Sequence, residues 1–467
     1  MGRVLVKNGH QVSFLLESKY ALVQAKALIP EADCWLISGF AKKQNNVQLA
    51  SRFLCLEKTY GENLSFLVSQ DRGLGQGYLF NAQAHPFVIK SSWNKEKKYA
   101  KIVDQFNLYE AVVAKFRPDL VLGVALPNAA YLVFRKRKVP VRILTTPRFS
   151  SLYRWTENQA EESQSILTCL KKNLQKARRT KKIPATSLRQ STFASYFFEQ
   201  YRFHYRTALK KAIVQFAKET YQLILGNHKR FKDGYKYLGW ISPILRRPFA
   251  FKYLERHGKF PSQIKGNQII LFPLHMEPEA TLFNLSPKQN NSMELIAWIS
   301  KSLPANCTLL VKEHPDAFGM RPVRFYKNIQ HMANVNLAHP KVPAKEWLSS
   351  CALVANIAST MAFEAVALEK PVLSFGAHQI INLLPTVQYA DSFDTTRHAL
   401  KVLLEEIKNN KRSLRESRWA LDMTMREVGF DLSGYEKIFK SEQLHPELAK
   451  KALCGLTKEI PGLIKIS

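Results

Sequence analysis

The stretch that decides the fold runs IILFPLHMEPEAT (269–281), CTLLVKEHPDAFGMR (307–321), VNLAHP (335–340) and ALVANIASTMAFEAVALEKPVLSFG (352–376). Each part opens on a short apolar run, four to six residues long, that ends in Pro, Gly or a polar cluster. Runs of that length and boundary read as buried strands. Between them, 292–303, 325–332, 343–350 and 362–368 carry helical periodicity. Strands alternating with helices build a parallel sheet of βαβ units. The class is therefore α/β, and this half of the chain is a Rossmann-like layer.

Working outward, the first half shows the same rhythm more weakly. HQVSFLLE (10–17) reads as a strand after the Gly9 turn, and 64–69 as a weaker one. A helix is expected over 98–115, a strand over 118–124, a helix over 128–138 and a strand over 141–145. The expected domains are 1–150, an N-terminal Rossmann-like domain whose start is shortened or whose first strand is absent; 151–262, a basic helical elaboration and interdomain connection; 263–395, a C-terminal Rossmann-like domain; and 396–467, a helical segment. Within 151–262 a long helix is expected over 193–225. Tyr201, Phe203, Tyr205, Leu209, Ile213 and Phe216 form its apolar stripe, opposite Arg206, Lys210, Lys211 and Lys218. Trp240, Ile241, Ile244, Leu245, Arg246 and Arg247 form a second patch of the same kind.

Composition bounds the function. The chain has 467 residues, 46% hydrophobic, enough for two cores. Its six cysteines lie far apart with no Cys-x-x-Cys pair, which argues against a disulfide framework or a zinc site. Neither a signal peptide nor a membrane-spanning run is legible, so a cytoplasmic protein is expected, peripheral at the inner face of the membrane. The formal charge of +32 is concentrated: 165–255 holds twenty basic and four acidic residues, half of the total. Such a segment suits an anionic membrane surface or an acidic glycan. Nucleic acid is not an expected partner, because no nucleic-acid-binding motif accompanies the charge.

In an open parallel sheet, ligands meet the loops at the carboxyl ends of the strands. Four such loops carry chemistry. After IILFPL come His275, Glu277 and Glu279, carboxylates suited to general acid or base work. After CTLLVK come Lys312, His314 and Pro315, then Arg321, which can bind phosphate or base. Ser359 and Thr360 sit at a helix start, with Glu364 one turn on. Ser374 to Gly376 closes the next strand. In the first half, Asp71 in the loop QDRGLG (70–75) is the candidate base. That loop lacks the glycine spacing of a dinucleotide fingerprint.

Taken in order, FPLHMEPEAT, LLVKEHPDAFGMR, NVNLAHP and ANIASTMAFEAVALEKPVLSFG resemble the capsular or surface polysaccharide biosynthesis family. Those are GT-B enzymes related to the bacterial Kdo and polysialic acid transferases. RPDLVLG (117–123) and VPVRILTTPRF (139–149) look like the first domain of such enzymes. The resemblance implies two Rossmann-like domains facing a cleft, and a sugar moved from a CMP-linked donor, such as Kdo or sialic acid, to a surface polysaccharide or glycolipid acceptor. It implies His314 and Pro315 at the cytidine, Ser359 and Thr360 at the phosphate and Glu364 at the ribose. Lys312 and Arg321 would compensate the leaving charge. No cofactor and no metal is expected, the nucleotide-sugar being the substrate. Two alternatives remain open: a CDP-polyol phosphotransferase of the teichoic-acid kind, and a non-catalytic polysaccharide assembly factor.

Overall fold

The computed structural model describes residues 1–37, 49–79, 82–83, 91–145, 148, 152–184, 204–225, 235, 238–239, 241–264, 268–432 and 446–460. The chain divides into two compact units. The first comprises Met1–Val68, Lys95–Cys169 and Thr424–Ser467; the second, Ser69–Asn94 and Leu170–Met423. Neither is continuous in sequence.

In the first unit, β1 (Ser13–Leu16) and β2 (Asp33–Leu36) pair in parallel. The loop around Asp71 lies in the second unit, before the hairpin of β3 (Tyr78–Leu79) and β4 (Ala82–Gln83). The first unit resumes with a four-stranded sheet containing β5 (Val121–Gly123), β6 (Val141–Thr145) and β7 (Leu152–Thr156). β5 and β6 are parallel, but β7 turns back antiparallel to β6. A strand thus stands where the basic helical elaboration was expected to begin. Its reason is packing: Trp155 and Tyr153 are buried against Leu453 and Leu456 of the helix Pro446–Glu459, and the Trp155 indole donates to the Ala452 carbonyl at 2.8 Å.

The expected strand over 64–69 is a helix, Leu64–Gln70. Leu64 and Leu67, one turn apart, are its buried apolar residues, and the Leu64 N–H donates to the Glu57 carboxylate at 2.8 Å. A short apolar run fits either period, and here the helical one prevails. The helix expected over 98–115 is Lys95–Phe116.

The second unit is built on a six-stranded parallel sheet: β8 (Gln268–Pro273), β9 (Cys307–Lys312), β10 (Val335–Leu337), β11 (Leu353–Asn356), β12 (Val372–Ser374) and β13 (Val387–Tyr389). Their spatial order is β10-β9-β8-β11-β12-β13. β9 is buried along its whole length and β8 from Ile269 onward, as continuous apolar runs in a doubly covered parallel sheet should be. Helices cover it, among them Ser292–Ser302, whose start is capped by the Asn291 side chain accepting from the Met293 N–H at 3.2 Å. Ile270, Phe272, Leu309 and Val311 join Leu295, Ile299, Tyr326 and Leu373 in one core. The short β14 (Phe430–Asp431) returns to β7 in the first unit.

Between the two series of strands lies the helix Tyr205–Ile224, part of the helix expected over 193–225; residues 193–203, with Tyr201 and Phe203, lie outside the described residues, as does Trp240. A second helix, Ile241–His257, packs along it.

Candidate functional site

β8 starts the sheet in the middle. The chain then steps outward through β9 to β10, crosses back, and steps the other way through β11, β12 and β13. The order reverses between β8 and β11, and at such a switch point the loops diverge and leave a crevice at the carboxyl ends of the strands. The residues that follow β8 and β11 are those singled out in the sequence.

One hydrogen bond joins the two loops. Nε2 of His275, just after β8, accepts from the Ala358 N–H, just after β11, at 3.1 Å. An accepting Nε2 leaves the proton on Nδ1, which faces the Glu279 carboxylate at 3.3 Å. His275 is 4% exposed, whereas the Glu279 side chain keeps 35% of its surface. Glu279 is thus a solvent-reached carboxylate held by a buried imidazole.

Glu277 has different surroundings. It is buried, accepts from the Ser292 hydroxyl and pairs with Arg321 at 3.3 Å. Arg321 is 1% exposed and reaches three groups: Glu313 at 2.7 Å, Glu277, and the His275 carbonyl at 2.6 Å. The second oxygen of Glu313 accepts from the Tyr326 hydroxyl at 2.5 Å. Tyr326 and Arg321 are held well above their ordinary ranges: burial and Glu313 raise the phenol, and Glu313 with Glu277 outweighs burial at the guanidinium. Arg321 therefore ties the β8 loop to the β9 loop from inside. Its surroundings support a scaffold, not a cation for a leaving phosphate, and the same holds for Glu277 as an acid or base. Lys312 is likewise buried; its ammonium donates to the Val342 carbonyl at 2.9 Å, and burial pushes it down to about 8.

His314 caps the short turn Pro315–Ala317. Its Nδ1 accepts from the Asp316 N–H at 3.2 Å, so Nε2 carries the proton. Burial lowers its pKa against the opposing pull of Asp316, Glu279 and Glu313. The result is a neutral imidazole N–H near Glu279, a donor suited to a base carbonyl or a phosphate oxygen.

The β11 loop is shaped from beneath. Asn356, buried, accepts from the Ser359 N–H at 2.8 Å and donates to Gln379 at 3.2 Å, while Gln379 donates to the Ile357 carbonyl at 2.6 Å. A Cβ on Gly376 would lie 2.3 Å from that same carbonyl, so the backbone there admits only glycine. The Ser359 hydroxyl accepts from the Met361 N–H at 3.2 Å. Thr360 occupies the cap position of the helix Met361–Ala367 without a side-chain cap bond. One turn on, Glu364 is half-buried, and burial pushes its carboxyl up; among the described residues its side chain has no hydrogen-bond partner. Asn356, Gln379 and His275 are the functional neighbours that strand-end reading underweighted; an Asn closing an apolar strand was the available signal.

Asp71 closes its own turn. Its carboxylate accepts from the Gly73 N–H at 2.9 Å, and the loop is fixed by Tyr235, whose hydroxyl donates to the Gly73 carbonyl at 2.6 Å and accepts from Gly77 N–H at 2.8 Å. No group of three His, Cys, Asp or Glu with metal-holding geometry occurs among the described residues.

Residues 173–380 match the family model described as capsule polysaccharide biosynthesis protein. The matched stretch includes the whole switch-point site, from His275 to Gln379, together with the basic helices that precede it. No curated protein matches the sequence. Among solved structures the chain is similar to the β-Kdo 2,7 transferase KpsC of Thermosulfurimonas dismutans, at 12% identity over 88% of this chain and 90% of that one, with a TM-score of 0.35. It is also similar to spinosyn rhamnosyltransferase SpnG, at 11% identity over 91% and 92%, with a TM-score of 0.30. The UDP-GlcNAc 2-epimerase of Methanocaldococcus jannaschii shares 10% identity over 89% of this chain and all of that one, with a TM-score of 0.29. No helix among the described residues is long and apolar enough to cross a membrane.

Proposed function

We propose that this protein is a GT-B glycosyltransferase of capsule synthesis, moving a sugar from a CMP-linked donor to a surface polysaccharide or glycolipid acceptor. The observation that carries the reading is the His275–Ala358 bond across the switch point. It gathers Glu279, His314, Ser359, Thr360 and Glu364 at one edge of a parallel sheet.

The chemistry divides among them. The neutral His314 N–H and Pro315 take the cytidine end, and the Ser359 and Thr360 hydroxyls with the adjoining backbone N–H groups take the phosphate. Glu364, half-buried and without a side-chain hydrogen-bond partner among the described residues, accepts from ribose hydroxyls, which repays the cost of its burial. In the transfer an acceptor oxygen bonds to the anomeric carbon as the bond from that carbon to the nucleotide phosphate oxygen breaks. The acceptor proton goes to a carboxylate. Glu279, reached by solvent and oriented by His275, fits that role better than Glu277, which the interior consumes, or Asp71, which holds its own turn.

Calorimetric titration with CMP, CDP, UDP and GDP tests the reading. CMP should bind most tightly, and His314→Ala should weaken it at least tenfold with the fold intact. Preference for CDP would favour a polyol-phosphate substrate instead. Absence of any nucleotide binding would remove the enzymatic reading.

A further inference from the structure

The helix Tyr205–Ile224 is assembled inside out. Its buried residues are Ala208, Ala212 and Glu219, with Gln215 half-buried on the same seam. Its large apolar side chains face outward: Leu209 is 56% exposed, Ile213 59% and Phe216 48%, and Tyr205, Val214, Tyr221 and Ile224 are exposed as well. A helix stabilised by water alone puts such residues on the core side, because each one buried gains about 1.5–3 kcal/mol. Here the packed seam is small or polar, and the apolar stripe at 205, 209, 213 and 216 follows one face.

The stripe does not end on its own helix. The Tyr205 ring meets Phe249 of the helix Ile241–His257 edge-on at 5.1 Å, and Phe249 and Leu245 are also exposed. At this junction opens a groove of about 670 Å³ lined by Tyr205, Phe249, Lys252, Tyr253, Arg256 and Lys327. Lys252, Arg256 and Lys327 are exposed cations; on the helix Tyr205–Ile224, Arg206 and Lys210 adjoin the stripe, and Lys211 and Lys218 are exposed on the opposite face.

We infer that this two-helix surface is a docking site for an anionic lipid bilayer, lying in the interface with its groove over lipid phosphates. Charge complementarity selects the partner: Arg206, Lys210, Lys252, Arg256 and Lys327 border an aliphatic and aromatic face, with no acidic side chain exposed on the helix Tyr205–Ile224. Leucine, isoleucine and phenylalanine gain from acyl chains, aromatic rings suit the headgroup depth, and lysine and arginine add about 1 kcal/mol each near an anionic leaflet. An acidic glycan would satisfy the cations but leave Leu209, Ile213 and Ile224 in water. The inference stands apart from the donor-site reading, since a protein that binds CMP but no vesicles loses only the docking surface.

Flotation of the full chain with two kinds of vesicle tests it: phosphatidylcholine alone, and equimolar phosphatidylglycerol and phosphatidylcholine. Binding is expected to the anionic vesicles only, falling steeply with salt. The variant Lys252→Gln/Arg256→Gln/Lys327→Gln should bind about a hundredfold more weakly, at roughly fivefold per charge. Leu209→Ser/Ile213→Ser/Phe216→Ser, which keeps every charge, should weaken binding by more than about tenfold. Ile213→Ser alone gives a smaller loss in the same direction and serves if the triple variant fails to fold. Failure of the wild type to float would overturn the inference. So would serine variants that float like the wild type, or a wild type that binds polygalacturonate but neither kind of vesicle, which would assign the surface to an acidic glycan.

Discussion

The Ala358 N–H donates to Nε2 of His275 at 3.1 Å, and both residues are buried. They are 83 positions apart in the chain, yet this bond fixes the tautomer of the imidazole, the pose of Glu279 and the start of the β11 loop. It is the hinge pin of the candidate site.

Replacing His275 by Ala removes the imidazole acceptor of the buried Ala358 N–H, at a cost of about 1–3 kcal/mol. Nucleotide affinity should fall with it, because Glu279 and the Ser359 loop lose their common reference. Urea denaturation and CMP titration of His275→Ala and His275→Gln check this. An alanine variant as stable as the wild type would mean that the bond contributes nothing.

Arg321→Met strands two carboxylates, Glu277 and Glu313, in the interior. Loss of one partner from a buried ion network typically costs about 3–5 kcal/mol. Adding Glu277→Gln and Glu313→Gln should recover part of it by removing the uncompensated charge. Melting temperatures of the single and combined variants measure the recovery; a combined variant less stable than Arg321→Met would contradict the charge argument.

Lys312 gives a pH signature. Burial pushes its ammonium from 10.5 down to about 8. Across that window the unfolded chain holds more protons than the folded one, so stability from this group rises as the pH climbs from about 8 to about 10. Below about pH 8 the buried charge is a standing cost on the order of 3 kcal/mol. Lys312→Met should be relatively more stable at neutral pH and lose the alkaline rise. Denaturation curves of both proteins at about pH 7.5 and about pH 9.5 decide, and equal rises in the two would rule Lys312 out.

Much of the second unit was legible before any coordinates. IILFPL, CTLLVK and PVLSFG are apolar runs buried on both faces of a parallel sheet, a pattern set by local composition alone. The helix Leu64–Gln70 was not, because a six-residue apolar run satisfies either period until neighbours choose. Within the site, residue types located His314, Ser359, Thr360 and Glu364 at strand ends. They did not separate Glu279, open to solvent, from Glu277, consumed by Arg321 two residues away. The stripe on Tyr205–Ile224 was legible too; its exposure depended on Ala208 and Ala212 taking the seam.

The sequence by itself determined which segments become strands and which side chains stand at their carboxyl ends, since those depend on periodicity and on bonds within a few residues. Tertiary structure decided which of these side chains share an environment. Strand order put β8 beside β11 and so brought His275 to Ala358, and the crossing of the β8 and β9 loops buried Arg321 between two glutamates. The physical reason is that burial, and with it the protonation and reach of an ionisable group, is set by neighbours distant in the chain.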